Sequence, residues 1–572
     1  MNVESVNSIE NTAHITCVRL VEAIVSYGAK YAVCCPGTRN APLLMALARC
    51  EQLKKVVVTD ERSAGYVALG LAQQSLQLVA VVCTSGTALS NLAPAAAEAY
   101  YSHIPLVIIS ADRPKEWIDQ NDSQTMHQAE VLSNAVKWHY SLPSIPASDE
   151  QSWWVNRMIN DAMANVTSAP IAPIHINVHV GEPVNQTATA PSGYTDIIST
   201  PIHHTLSAEI ASALNEEITT ARRVMVICGF MPPDRRLAKS LSTFAKRSNV
   251  VVLCEQIANI TGEGIINQAA TVISEMNKEE RETLAPDLLI YIGGAIVSRK
   301  TKEFFRRFGV GKQWRIGNDR CIIDSFKHCN RIVDLNPESF FEAINSCEQN
   351  INADGSNYAS LWQSLRKRAL LSHQRYVANA RWSTLSAMDI ISNHIPEGTI
   401  LHLSNGLSIR LAQLFAMPQV SQWWSNRGVS GIDGCTSTAL GASIAAEGKD
   451  VILITGDMSF SYDINGLSSQ YNSRHLKVIV TCNAGGGIFR FIKSTSSLPE
   501  LERYFEVKHN APVAQLAQAF GFDFFQADSK ESLAKQIDAF FSDKNPAILA
   551  ICTDSETDAE ILRKYYSRSR KI

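Results

Sequence analysis

Two polar residues, Asp457 and Asn483, stand 26 residues apart, each just after a short apolar run. Val451-Ile-Leu-Ile-Thr455 leads into Gly456-Asp457-Met458-Ser459, and Lys477–Thr481 leads into Cys482-Asn483-Ala484-Gly485-Gly486-Gly487. A strand, a crossover helix and a second strand consume about that many residues, so both side chains are expected at one edge of neighbouring strands. There an Asp carboxylate, an Asn amide oxygen and the Gly485 carbonyl offer a hard oxygen shell. Mg2+ or Mn2+ accepts such a shell when phosphate oxygens complete the octahedron. Gly456 permits a sharp turn, and the glycines after Asn483 let backbone approach a phosphate closely. The plainer alternative is a strand-ending turn and a flexible loop, and the two segments taken singly leave both open.

Taken together, the segments resemble the thiamine diphosphate motif, which opens with Gly-Asp-Gly and closes with Asn-Asn about thirty residues later. Met458 replaces the second Gly and Ala484 stands beside a single Asn483, but the metal ligands Asp457, Asn483 and Gly485 survive both departures. The resemblance implies thiamine diphosphate held by Gly456, Asp457, Met458, Ser459, Asn483 and Ile488. Such catalysis needs the thiazolium C2 proton removed. A carboxylate sharing a proton with the aminopyrimidine turns the 4′-amino group into the base, from an apolar pocket that raises its proton affinity. Glu61, in Thr59-Asp-Glu-Arg-Ser63, falls just past a strand at the start of a small-residue helix. By itself it also reads as a favourable anion at a helix N-terminus. The resemblance makes it the catalytic carboxylate, with the cofactor between the pyrimidine domain of one subunit and the diphosphate domain of its neighbour. Ile432 takes the place of the apolar wedge that bends the cofactor, or else packs a core.

Further motifs fall in order between residues 36 and 492: Pro36-Gly-Thr-Arg-Asn40, Asp60-Glu-Arg62, Thr84-Ser-Gly-Thr87, Ala111-Asp-Arg-Pro114, Ser425-Asn-Arg-Gly428, Gly431-Ile-Asp-Gly434 and Gly485-Gly-Gly-Ile-Phe489. The chain is thereby similar to the 2-succinyl-5-enolpyruvyl-6-hydroxy-3-cyclohexene-1-carboxylate synthases, a thiamine diphosphate-dependent family of menaquinone biosynthesis. The resemblance implies that 2-oxoglutarate loses CO2 on the cofactor and that the succinyl carbanion adds to isochorismate in a Stetter-like 1,4-addition. Both substrates are dicarboxylates, which guanidinium forks grip bidentately. Thr38, Arg39, Arg113, Gln124, Arg299, Lys300, Arg410 and Arg427 match the family's substrate positions, and Ile488, Phe489 and Ile492 match an apolar wall that lowers the dielectric around the carbanion. Gly406 stands where the family often has Ser, which leaves a backbone contact to the cofactor. Arginine by arginine, a solvated surface residue is the competing reading. The rival functions are another thiamine diphosphate enzyme, such as an acetolactate synthase or pyruvate oxidase, and a silent nucleotide-binding scaffold.

These residues need parallel sheets to hold them, because ligands of open α/β sheets bind beyond the carboxyl ends of the strands. Short β-branched runs alternate with helix-length stretches in three series, giving an α/β chain of three doubly wound parallel-sheet domains. The first series holds Lys30–Cys35, Lys55–Thr59, Leu78–Thr84, Pro105–Ser110 and Ile174–Val180, with helices over Ala64–Ala72 and Ala88–Tyr101. The second, Rossmann-like, holds Arg223–Cys228, Val250–Cys254 and Leu288–Gly293. The third opens with a basic helical segment, Leu361–Ala380, and holds Ile400–Leu403, Val451–Thr455, Leu476–Thr481 and Pro546–Cys552, with a helix from Asn465. The expected domains are a pyrimidine-binding domain over 1–190, a central domain over 205–350 and a diphosphate-binding domain over 360–572. Aperiodic stretches, 182–204 and 345–357, join them.

The 572 residues carry 52 Lys plus Arg against 55 Asp plus Glu, a net charge of −3. That balance lacks the electrostatic footprint of a duplex nucleic-acid binder. With 45% hydrophobic and only 19% charged residues, much of the chain must be interior or interface, which points to a compact, oligomeric globular body. The family resemblance implies a homodimer or homotetramer with active sites at the subunit interface. Residues 1–16 have no basic n-region or apolar h-region, so no secretory signal is expected, and no apolar run approaches the ~20 residues of a membrane span. Thirteen cysteines without a CxxC read as reduced, buried thiols of a cytoplasmic protein.

Overall fold

The structure is a computed structural model that describes residues 13–189, 191–200, 202, 204–348, 357–472 and 474–568. Most of residues 1–16, where no secretory signal is expected, and parts of both aperiodic stretches lie outside the described residues. Three six-stranded sheets carry the fold, and every strand pair is parallel. Their central strands, such as Val79–Cys83, Val224–Cys228 and Val451–Gly456, are apolar along nearly their whole length because helices cover both faces.

The first sheet contains β1 (Tyr31–Cys34), β2 (Lys54–Val57), β3 (Val79–Cys83), β4 (Leu106–Asp112), β5 (Trp138–Pro143) and β6 (Ile174–His179), in the order β2-β1-β3-β4-β6-β5. The second contains β7 (Val224–Cys228), β8 (Val250–Cys254), β9 (Ile265–Ile266), β10 (Leu288–Ile292), β11 (Lys312–Ile316) and β12 (Cys329–Val333). Its order, β12-β11-β10-β7-β8-β9, is the doubly wound 3-2-1-4-5-6 arrangement, as the Rossmann-like reading requires. The third contains β13 (Thr399–Leu403), β14 (Val420–Trp424), β15 (Val451–Gly456), β16 (Leu476–Cys482), β17 (Asp523–Ala527) and β18 (Ala547–Cys552). Its order, β14-β13-β15-β16-β18-β17, repeats that of the first sheet strand for strand.

The chain forms two compact units. One comprises the described residues of 1–201, 426–448 and 462–473, and the other those of 202–425, 449–461 and 474–572. In the first unit the helix Cys435–Ala445 lies against the helix Glu61–Ser75, and two glycines permit the approach. A Cβ on Gly70 would lie 2.0 Å from the Thr438 carbonyl oxygen, and one on Gly441 would lie 2.1 Å from that of Val67. In the second unit the basic segment is helical over Tyr358–Ala378 and buries Trp362, Leu365 and Ala369.

Local departures from the sequence reading have simple causes. The expected helix over 88–101 is two helices, Thr87–Asn91 and Ala93–Ser102, because Pro94 belongs in a first turn and restarts the helix. The helix expected from Asn465 is a 3-10 turn, Ile464–Leu467, and the α-helix begins earlier, over Asp457–Tyr462. Described residues of the stretch from 182 are held by hydrogen bonds to helices of the first unit. Asn160 Oδ1 accepts from Ile197 N at 2.7 Å, and Arg19 Nε donates to the Ser192 carbonyl at 2.8 Å. All thirteen cysteines are free, with Cys17, Cys83, Cys228 and Cys254 fully buried and Cys321 exposed. No described helix is long and apolar enough to cross a membrane.

Candidate active site

β15 and β16 are hydrogen-bonded neighbours with Gly456 opposite Thr481, so Asp457 and Asn483 leave the same sheet edge. The loop after Asn483 folds back onto Asp457. Asp457 Oδ2 accepts from Gly485 N at 3.1 Å and Oδ1 accepts from Met458 N at 2.7 Å. Burial pushes the Asp457 carboxyl up, opposed by His509 and by the amides of Gly485, Met458 and Ala484. A buried carboxylate of raised proton affinity is one that a divalent cation neutralises well.

Asn483 is oriented by a residue that the sequence did not point to. Its Nδ2 donates to Asp558 Oδ2 at 3.3 Å, so the amide oxygen is the atom that can turn toward a cation. Asp558 is itself fixed by Thr384 N at 2.7 Å, Thr384 Oγ1 at 2.6 Å and Thr553 Oγ1 at 2.8 Å. The glycines are needed by space as well as by conformation. A Cβ at Gly485, where φ is +142°, would lie 2.3 Å from the Glu506 carbonyl oxygen, and one at Gly487 would lie 2.6 Å from Asn483 Nδ2. An Asp carboxylate, an Asn oxygen and the Gly485 carbonyl suit a phosphate-bound Mg2+ better than a soft metal. Among the described residues no cluster of three or more His, Cys, Asp or Glu side chains offers a metal site of another kind.

The neighbouring strand brings more of the predicted set to this edge. β13 pairs with β15, Leu403 opposite Ile454, and Ser404 Oγ accepts from Gly456 N at 3.4 Å. Gly406 has a φ of +97°, a backbone that glycine adopts freely and Ser does not. Its carbonyl accepts from Arg410 Nη1. Burial lowers the proton affinity of Arg410, and the charge of buried Glu255 opposes this. Glu255 in turn accepts from Val297 N at 2.6 Å and Ser298 N at 2.7 Å, fastening the loop before Arg299 and Lys300. Arg299 is not gathered with the others. It is 81% exposed and pairs with Glu303 at 2.9 Å, a surface contact of small energetic weight. Ile488, Phe489 and Ile492 follow the glycine loop as half-buried apolar side chains, and Met458 is also half-buried while Ser459 is buried.

In the first unit, Thr38, Arg39, Glu61 and Arg113 all follow the carboxyl ends of strands β1, β2 and β4. Asp60 caps the helix Glu61–Ser75 by accepting from Arg62 N and Ser63 N at 2.9 and 3.3 Å, so Glu61 is not spent as the cap. Glu61 is half-buried; burial pushes the Cys35 and Cys83 thiols up, and the Glu61 charge adds to this. Arg39, 8% exposed, donates to the Val180 carbonyl and pairs with Glu182 at 3.1 Å. Arg113 pairs with Asp122 at 3.1 Å. Gln124 is exposed with φ +55°, and Thr38 is exposed beside Arg39. Arg427 is 8% exposed, and Ile432 is half-buried five residues on.

Beneath this edge lies a buried network that the sequence also did not signal. Gln128 donates to Asn177 Oδ1 at 2.7 Å and to the Ala111 carbonyl at 2.8 Å, and its Oε1 accepts from Gly86 N at 3.0 Å. Asn177 donates to Asp112 Oδ2 at 2.8 Å. The network ties Thr84-Ser-Gly-Thr87 to Ala111-Asp-Arg-Pro114. Burial lowers the pKa of its member His175 to about 3, so that ring is neutral.

Known proteins match along nearly the whole chain. Residues 18–131 match the family "Thiamine pyrophosphate enzyme, N-terminal TPP binding domain", and residues 406–551 match "Thiamine pyrophosphate enzyme, C-terminal TPP binding domain". A Porphyromonas gingivalis protein named 2-succinyl-5-enolpyruvyl-6-hydroxy-3-cyclohexene-1-carboxylate synthase is 37% identical over 556 residues, covering 96% of each chain. One of the same name from Christiangramia forsetii is 35% identical over 572 residues, covering 96% of this chain and 97% of its own. A third, from Phocaeicola vulgatus, is 32% identical over 557 residues. With sheets, diphosphate edge and near-full-length relatives in agreement, the chain belongs to the 2-succinyl-5-enolpyruvyl-6-hydroxy-3-cyclohexene-1-carboxylate synthase family of thiamine diphosphate-dependent enzymes.

Proposed function

We propose that the chain joins the four carbons left when 2-oxoglutarate loses CO2 to the ring of isochorismate, a Stetter-like 1,4-addition that serves menaquinone biosynthesis. The observation that carries this reading is the arrival at one sheet edge of Asp457 and of an Asn483 oriented by Asp558, in a chain with near-full-length relatives named for that synthase. Thiamine diphosphate, when bound, supplies a carbon nucleophile that takes up the 2-oxo group and accepts the electrons released with CO2. Asp457, Asn483 and the Gly485 carbonyl hold Mg2+ or Mn2+ against the diphosphate, beside Gly406, Gly456, Met458 and Ser459. Glu61 holds a proton at the pyrimidine ring and is the acid-base residue. Ile432 would give the cofactor an apolar support, and Ile488, Phe489 and Ile492 would exclude water from the reacting carbon.

Arg39, Arg113, Arg410 and Arg427 grip the substrate carboxylates, with Thr38 and Gln124 as neutral donors and the 299–300 pair at the outer rim. The functional domains are the pyrimidine-binding 1–190, the central 205–350 and the diphosphate-binding 360–572. The active enzyme is a homodimer or homotetramer in which Glu61 of one subunit serves the diphosphate edge of another. The free thiols suit a cytoplasmic location. Isochorismate absorbance tests the reading. Its decay must require 2-oxoglutarate, thiamine diphosphate and Mg2+ together. Turnover of pyruvate with no response to isochorismate would favour an acetolactate synthase or pyruvate oxidase instead.

A further inference from the structure

Glu98, in the helix Ala93–Ser102, is 1% exposed and lies in the first unit with the segment that carries Arg427. Its Oε1 accepts from Gly428 N at 2.6 Å and from Ser102 Oγ at 2.7 Å, and its Oε2 accepts from Val429 N at 2.8 Å. The Ser430 amide donates to the same carboxylate. Gly428 fits only as glycine, since a Cβ there would lie 2.6 Å from the Glu98 carbonyl oxygen and 2.8 Å from Ser102 Oγ. Residues 428–430 bury no apolar side chain, Val429 being 47% exposed, so hydrophobic packing does not fix their backbone. A carboxylate receiving several amide N–H groups does so, because each such bond to a charged acceptor is stronger than a neutral one.

We infer that Glu98 is a positioning residue for the reaction: by gripping the three amides after Arg427 it sets the direction of that guanidinium toward a substrate carboxylate. The inference rests on the reading of Arg427 as a substrate ligand. Glu98 touches neither substrate nor cofactor, and acts through the backbone one residue on. Glutamine in its place has a single acceptor oxygen and turns an amide N–H2 toward the backbone donors, so part of the grip becomes repulsive.

Two measurements on the holoenzyme test this. Hydrogen exchange of the 427–430 amides is expected to rise at least about tenfold in Glu98→Gln, with the rest of the helix Ala93–Ser102 still protected. In steady state, Glu98→Gln should lower kcat/KM at least about tenfold with less than about threefold loss of thiamine diphosphate affinity, and on an Arg427→Ala background it should cost less than about twofold more. Ser102→Ala, which removes one bond to Glu98, reads the same cycle at smaller amplitude if Glu98→Gln does not fold. Unchanged exchange at 427–430, additive losses in the cycle, or an equal loss of cofactor affinity would overturn the assignment. Should wild-type protein fail to consume isochorismate, the synthase reading falls, while the exchange measurement still decides whether Glu98 is the clamp.

Discussion

Asn483 Nδ2 points at Asp558 Oδ2 from 3.3 Å, which fixes the Asn483 side chain with its oxygen available to a cation. Asp558 lies 75 residues further along the chain, in the helix Ser555–Ser567, and is 6% exposed. The orientation of the Asn483 side chain at this edge therefore depends on a carboxylate from a distant helix. Asp558→Asn is expected to weaken Mg2+ affinity by roughly 10- to 100-fold, with turnover largely recovered at saturating Mg2+. A Mg2+ titration of activity checks this, and an unchanged midpoint would remove Asp558 from the role.

Ala484 has φ +64°, in the left-handed region that costs an L-residue roughly 1–2 kcal/mol. Asn tolerates that backbone better than Ala, and without the extra unfolded-state freedom of Gly. Ala484→Asn should therefore stabilise the protein by about 0.5–1 kcal/mol. Thermal and denaturant midpoints of the variant and wild type decide the sign.

Burial pushes the Asp463 carboxyl up to about 7, although Ser437 N and Oγ each donate to it at 2.7 Å. The folded state then holds this proton more tightly than the unfolded chain does. The group's contribution to stability is full below the ordinary value of 3.8 and is lost as pH rises through about 7. Asp463→Asn removes the titration, so the stability of wild type relative to the variant should fall between about pH 4 and about pH 7. Parallel pH profiles for the two proteins would contradict the assignment.

If Glu61 of one subunit serves the Asp457 edge of another, two dead variants complement. Co-expressed Glu61→Gln and Asp457→Asn chains should regain about one quarter of wild-type activity, since half of randomly assorted dimers carry one intact site of two. Each variant alone should be nearly inactive, with Glu61→Gln still binding thiamine diphosphate and Mg2+. No recovery in the mixture would place each site within a single chain.

What the sequence made legible follows from burial. The strands read correctly are largely apolar runs such as Val79–Cys83 and Val451–Gly456, while β5, β9, β11, β12, β14 and β17 went unread; all but β11 are edge strands, and β11, though interior, carries Lys312, Gln313 and Arg315 among its five residues. Edge strands such as Cys329–Val333 and Asp523–Ala527 are only half covered, and their polar residues dilute the period. At the site, Asp457 and Asn483 were legible because each directly follows an apolar strand with a glycine within two residues. Asp558, Glu98, Gln128 and Glu255 were not, since a carboxylate or amide on a helix or loop gives no local sign of the distant backbone it will hold. Arg299 shows the converse: the resemblance places it at a substrate position, yet its side chain lies in a surface pair with Glu303.

The central claim, that decarboxylation of 2-oxoglutarate is spent on isochorismate, is tested most directly by following CO2 from carboxyl-labelled 2-oxoglutarate alongside isochorismate loss in the presence of thiamine diphosphate and Mg2+. The account predicts one CO2 released for each isochorismate consumed, and neither change when Glu61→Gln replaces wild type. CO2 release that proceeds at the same rate without isochorismate, or isochorismate loss without CO2, would contradict it.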